Sequence, residues 1–132
     1  MNADKRSVIN EWIRYSNDDL YAAQHFFDTM QFPIYRIVCF NAQQSAEKYL
    51  KAYQIYFDID VIKTHNLTSL VLSLQEFDEE ILMLEKDAGL LSSFAVQYRY
   101  PDDFDDLTKE DAEKSLNIAR IIQKFITGKI VL

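Results

Sequence analysis

The chain has 132 residues, about the length of one domain, and 48% of them are hydrophobic, 14% aromatic and 27% charged. It contains only 2 Gly and 2 Pro, too few turn residues for an antiparallel β-protein, so long unbroken elements are expected. The net charge of −7 argues against broad, sequence-independent binding to nucleic acid through phosphate neutralisation.

The single cysteine, Cys39, excludes an internal disulfide and a multi-cysteine zinc site. The polar start of the chain shows no basic-then-apolar leader, and no apolar run approaches the ~20 residues that span a bilayer. We therefore expect one domain, residues 1–132, in the cytoplasm, without a membrane-spanning segment.

Helical periodicity predicts five helices. The first runs from about Asp4 to Met30, and the second opens at Pro33 and continues to about Phe57, where a loop begins. The expected core face of the first helix is formed by Val8, Trp12, Tyr15, Ala22, Ala23 and Phe26.

The remaining three helices follow from their caps and apolar spacing. Thr64 is predicted to cap a short third helix that buries Leu67, Leu70, Val71 and Leu74. A fourth helix runs from about Asp78 to Tyr98 and is interrupted by Gly89. Thr108 and Asp111 resemble a capping box at the start of the fifth helix, which ends at Gly128. The fifth helix carries Ala112, Leu116, Ala119, Ile122 and Ile126. Four long helices and one short one predict an all-α, up-and-down helical bundle.

Asp19 breaks the pattern of the first helix, because it lies in the middle of the predicted apolar arc. A buried carboxylate needs a cation or several hydrogen-bond donors, and Lys48 and Arg99 are the candidates. The residue is interpreted either as a structural group, paired with a cation or holding a tyrosine hydroxyl, or as a group that faces a ligand.

The second helix has two faces that are not ordinary solvated surface. Its core stripe consists of Val38, Ala42, Ala46, Tyr49 and Tyr53. The opposite side mixes Ile37, Phe40 and Ile55 with Gln44, Lys48 and Lys51. Such a mixture indicates an interface, and a two-fold homodimer is the simple interpretation. The alternative is burial by the short third helix of the same chain.

Three polar segments are candidates for ligand binding. Residues 43–52 offer amides, a carboxylate and amines, a mixture that binds a phosphate or a base edge and is also typical of a solvated helix face. Lys63 and His65 lie at a helix N-terminus, which favours anions, although such a histidine is often a capping or packing residue. Arg99, flanked by Tyr98 and Tyr100, suits a phosphate or a stacked base, or binds helix carbonyls and the aspartates that follow.

Several chemistries are excluded by what the sequence lacks. The aspartates of residues 102–106 lack the glycine and the twelfth-position Glu of an EF-hand, so they are interpreted as a solvated acidic loop. Cys39 lies on the core side of the second helix and is a poor nucleophile. His25 and His65 show no metal-ligand spacing, and no Gly-rich phosphate loop or nucleophile elbow occurs. No cofactor and no metal are expected.

Residues 12–23, 39–52 and 63–67, together with Arg99-Tyr100-Pro101, resemble the HEPN domain family over nearly the whole chain. The resemblance implies a five-helix bundle that dimerises and is often paired with a minimal nucleotidyltransferase, in some cases as a toxin–antitoxin pair. Some branches are metal-independent ribonucleases that use an Arg followed four to six residues later by His. This sequence departs from that motif, because no His follows Arg99 or Arg120, and Asn41 stands where many relatives carry His.

We therefore expect a non-enzymatic, dimeric module that binds a nucleotide or RNA. The expected pocket is lined by Asp19, Gln44, Lys48, Lys51, His65, Arg99 and Tyr100. One alternative is a ribonuclease in which Arg99 and His65 meet in space, with His65 as general acid or base. The other is a purely structural partner whose acidic second half docks onto a basic nucleotidyltransferase.

Overall fold

The computed structural model describes residues 1–97 and 106–132, with the backbone alone for Val96 and Gln97. Every regular element in these two ranges is helical. The α-helices are α1 (Ala3–Thr29), α2 (Tyr35–Tyr56), α3 (Leu67–Leu74), α4 (Glu85–Gln97) and α5 (Lys109–Lys129), with a 3₁₀ helix (Glu79–Leu84) before α4. The all-α bundle expected from the sequence is confirmed. None of the described helices is both long enough and apolar enough to cross a membrane.

Helix α2 is the centre of the bundle, since it packs against α1, α3, α4 and α5. Its predicted core stripe is confirmed, because Val38, Ala42, Ala46, Tyr49 and Tyr53 are each at most 2% exposed. The two alanines allow neighbouring helices to approach closely. Helices α1 and α2 run antiparallel, and Lys5 near the start of α1 pairs with Asp58 just after α2 at 2.9 Å.

The predicted core face of α1 is wrong for three of its six residues. Val8 and Tyr15 are 45% and 49% exposed, and Ala22 is exposed as well. Ala23 is buried as predicted, Trp12 and Phe26 are half-buried, and the helix also buries Ile9, Ser16 and Leu20. The side of α1 that carries the small Ser16 faces α2, because Ser45 of α2 donates a hydrogen bond of 2.8 Å to the Ser16 carbonyl. A polar serine is therefore buried where the hydropathy pattern placed larger apolar side chains.

The ends of the helices also differ from the sequence pattern. Helix α2 begins at Tyr35 and not at Pro33, and α3 is capped by Asn66 and not by Thr64, because the Asn66 side chain accepts from the Ser69 amide at 3.1 Å. The predicted fourth helix is divided into the 3₁₀ helix and α4. At the end of α5, Gly128 lies within the helix. The predicted capping box of Thr108 and Asp111 is confirmed.

Two buried tyrosines of α2 fasten α5 to the centre of the bundle. The hydroxyl of Tyr49 contacts the side chains of Asn17 and Gln123, joining α1, α2 and α5. The hydroxyl of Tyr53 donates to Asp78 at 2.6 Å, and Lys129 lies 3.4 Å from the same carboxylate. Burial and this hydrogen bond raise the pKa of Tyr53, so its hydroxyl keeps its proton and acts as a donor.

Candidate cleft between α2, α3 and α4

A cleft of about 200 Å³ lies between α2, the N-terminal end of α3 and α4. Its lining combines apolar walls with neutral polar groups. The lining residues are Phe40, Gln43, Gln44, His65, Asn66, Ser92 and Ala95. The structure thus brings together two of the predicted site residues, Gln44 and His65.

Gln43 holds the three walls of the cleft in place. Its buried side-chain Nε2 donates to the carbonyl of His65 at 2.8 Å, and its Oε1 accepts from the Ser92 hydroxyl at 3.4 Å. The same hydroxyl accepts from the Leu67 amide at 3.0 Å. Because the Gln43 amide ties α2 to α4 and to the segment before α3, the packing of the helices sets the shape of the cleft.

The wall of the cleft is supported by an ionic cluster of Glu47, Lys51 and His65. The Glu47 side chain is only 6% exposed, and its two oxygens contact Lys51 Nζ at 2.9 Å and His65 Nδ1 at 2.8 Å. The His65 ring itself is 71% exposed. When Nδ1 donates to the carboxylate, Nε2 of the neutral ring is left as an acceptor for another group.

Glu47 was missed as a functional residue by the sequence reasoning, which treated it as one polar group of a helix face. The signal that points to it is its spacing from Lys51, one turn later on the same helix. The contact with His65 joins residues 18 positions apart. It depends on where α3 packs, so no local pattern reveals it.

The expected partner of Asp19 is confirmed, because its carboxylate contacts Lys48 Nζ directly. Both side chains are 26% exposed, and neither lines the cleft. The two lysines of the α2 strip are therefore each paired with a carboxylate, Lys48 with Asp19 and Lys51 with Glu47. Arg99 and Tyr100, the other two predicted site residues, lie outside the described residues.

Cysteine and metal chemistry find no support in the described ranges. Cys39 is fully buried, and burial raises the pKa of its thiol to about 11, so it is a poor nucleophile, as predicted. Residues 1–97 and 106–132 contain no group of three His, Cys, Asp or Glu side chains that could hold a metal ion. His25 is exposed and stacks on Tyr21 with ring centroids 5.9 Å apart.

Comparison with known proteins agrees with this architecture. The family model of the HEPN domain matches residues 9–130. The crystal structure of TT1696 from Thermus thermophilus superposes with a TM-score of 0.77 at 27% identity, covering 92% of this chain and 98% of that one. That of ST0689, an archaeal HEPN homologue, gives a TM-score of 0.73 at 25% identity, covering 93% and 98%. No curated protein matches. The fold is that of a HEPN module, and the chain belongs to the HEPN domain family.

Replacing Glu47 tests the ionic cluster. The change Glu47→Gln leaves the Lys51 ammonium buried without its anion, so we expect the free energy of unfolding in urea to fall by about 3 kcal/mol. Adding Lys51→Met removes the uncompensated charge, and the double variant is expected to regain part of that loss. The matched control Asp58→Asn, whose exposed carboxylate pairs with Lys5, is expected to change it by less than about 1 kcal/mol. A double variant no more stable than Glu47→Gln would contradict the pairing.

Proposed function

We propose that this HEPN domain is a non-enzymatic module that binds a nucleotide or RNA in the cleft between α2, α3 and α4. The observation that carries the proposal is the convergence of Gln44, His65 and Asn66 on one preformed cleft beside the apolar surface of Phe40. Concave sites with apolar walls and a few convergent polar groups are typical of small-ligand binding.

The predicted site residues contribute unequally under this proposal. Gln44 and His65 contact the ligand directly, whereas Lys51 acts through Glu47, which orients the His65 ring. Asp19 and Lys48 neutralise one another outside the cleft, so their contribution to binding is indirect. Arg99 and Tyr100 are proposed to supply the cation for the phosphates and a stacking surface.

A metal-independent ribonuclease is the second candidate, and the contact between Glu47 and His65 favours it. A carboxylate that fixes one ring nitrogen leaves the other able to accept a proton, which is what a general base requires. The family's Arg-to-His spacing is nevertheless absent from this chain. The cleft is therefore assigned to binding, with cleavage by Arg99 and His65 as the competing outcome.

Binding is tested by titration calorimetry with ATP, GTP and short single-stranded RNAs. The wild type is expected to bind at least one of these ligands, and Arg99→Ala is expected to weaken binding at least tenfold, because a charged contact contributes about 1.5–3 kcal/mol. Lys114→Ala, an exposed cation on α5, is the matched control and is expected to change nothing. Absence of binding by every ligand would contradict the proposal, and RNA cleavage that His65→Ala abolishes would favour the ribonuclease.

Part of the α2 face predicted to form a dimer, with Lys48 and Ile55, adjoins α1, and we propose the resulting α1–α2 surface as the dimer interface. The pair of Asp19 and Lys48 lies at its centre. Trp12 lies seven residues before Asp19 on α1, and Ile55 lies seven residues after Lys48 on α2. Residues seven positions apart share one side of a helix, and the two helices are antiparallel, so the half-buried Trp12 and Ile55 lie beyond the same end of the pair. Val8 and Tyr15 extend this α1–α2 surface as exposed apolar side chains. We propose that it pairs with a second copy of itself about a two-fold axis.

Size-exclusion chromatography with light scattering measures the oligomeric state. The wild-type chain of 15.5 kDa is expected to elute with twice that mass, and Ile55→Lys is expected to elute as a monomer because a charge opposes burial of the surface. Ile121→Lys on the exposed side of α5 is the control and should remain dimeric. A wild type that is monomeric at micromolar concentration would contradict the dimer.

We further propose that the domain pairs with a minimal nucleotidyltransferase in a toxin–antitoxin-type system. Membership of the HEPN family and the net charge of −7 support this, since an acidic surface suits a basic partner enzyme. Affinity purification from the native host at moderate salt, followed by mass spectrometry, is expected to recover such an enzyme. Recovery that does not diminish as salt is raised would contradict electrostatic docking, and recovery of the chain alone would contradict the pairing.

A further inference from the structure

The cleft between α2, α3 and α4 carries almost no charge for a site that would bind a nucleotide. Apart from His65, no charged side chain lines it among the residues that the structure describes. Phosphate groups are bound chiefly by Arg and Lys side chains and by free backbone N–H groups. We propose that the cleft holds the nucleobase of the ligand, read by Gln44 and Asn66, and leaves the phosphates outside. This inference rests on the proposed function.

The two lysines of α2 nearest the cleft are already paired. Lys51 is bound to Glu47 and Lys48 to Asp19, so an entering phosphate would have to displace a carboxylate from each ammonium group. Lys51 compensates the charge of the Glu47 carboxylate that contacts His65, so this wall offers a phosphate no net attraction. A neutral base does not depend on a cation there.

The N-terminus of α3, which borders the cleft, is also partly closed to phosphate. The side chain of Asn66 accepts a hydrogen bond from the Ser69 amide, and the Leu67 amide donates to Ser92. Two of the backbone N–H groups that would otherwise bind an anion therefore have partners inside the protein.

The polar groups that remain match the edge of a base. The half-exposed Gln44 amide has no hydrogen-bond partner among the described residues, and Asn66 uses only its oxygen in capping, which leaves its NH₂ group as a donor. A side-chain amide presents one donor and one acceptor side by side, the arrangement with which Asn and Gln bind bases in pairs of hydrogen bonds. Phe40 and Ala95 form apolar walls suited to a planar ring.

The size of the cleft leads to the same conclusion. Pockets that enclose a whole drug-sized ligand have volumes of about 300–1,000 Å³. At about 200 Å³, this cleft accommodates one part of a nucleotide and leaves the remainder in solvent. With the base inside, the ribose and the phosphates lie outside the cleft, where water solvates their charge.

A competition experiment separates the base from the phosphates. Each of the four nucleosides, each nucleoside triphosphate and inorganic tripolyphosphate is titrated against wild type, Gln44→Ala and the control Gln75→Ala, which alters an exposed amide at the far end of α3. We expect at least one nucleoside to bind and tripolyphosphate not to compete with it. Gln44→Ala is expected to weaken that nucleoside and its triphosphate by the same factor, about five- to tenfold, because the lost hydrogen bonds are to the base.

The outcomes distinguish this inference from the proposed function. Failure of every nucleoside to bind, while a nucleoside triphosphate binds and tripolyphosphate competes with it, would overturn the assignment of the base to the cleft and leave nucleotide binding intact. So would a Gln44→Ala variant whose affinity for the nucleoside equals that of the wild type. Failure of every triphosphate and every nucleoside to bind would contradict the proposed function, and this assignment with it.

Discussion

Burial of α2 on most of its circumference is the constraint on which the rest of the structure depends. A central helix that contacts four others removes several of its polar side chains from water, and each buried one needs a partner inside the protein. Gln43 is hydrogen-bonded to His65 and Ser92, Glu47 contacts Lys51 and His65, and Ser45 is hydrogen-bonded to Ser16. Apart from Lys51, which is on α2 itself, these partners lie on α1, on α4 and in the segment before α3, so satisfying α2 also fixes where its neighbours pack. Gln54 is the partial exception, since its Nε2 donates to Ser73 while its Oε1 has no partner in the described ranges.

The same pairing divides the surroundings of α2 into two surfaces with different chemistry. On the side of α3 and α4, Glu47 is bound to Lys51 and His65, and the described lining of the cleft carries no charged side chain apart from the exposed His65. On the side of α1, the pair of Asp19 and Lys48 is flanked by half-buried apolar residues. A neutral cleft suits a base, and a mixed apolar surface suits a protein. Ligand binding and assembly are therefore proposed on different sides of one helix, which allows one function to be altered without the other.

Much of the bundle was predictable because its helices are specified locally. Apolar residues at helical spacing identified the core stripe of α2 and the buried side of α3, and the Thr108 capping box marked the start of α5. The core face of α1 was not predictable, because the stripe of large apolar residues and the stripe that packs lie side by side on the helix. The side that packs on α2 is the one with the small Ser16, whose carbonyl accepts from Ser45. Of the candidate site, Gln44 and His65 were found from residue type, whereas Glu47 was not.

The sequence by itself determined the all-helical class, the number of helices and most of their buried faces, because propensity, periodicity and capping act over a few neighbouring residues. Only the tertiary structure decided which polar groups neutralise one another. Glu47 and His65 are 18 residues apart, and Asp19 and Lys48 are 29 apart. Whether a lysine is free for an anion or already bound to a carboxylate depends on distances between helices, which no local pattern contains. For that reason the sequence placed Lys48 and Lys51 among the pocket residues, whereas the fold pairs each of them with a carboxylate.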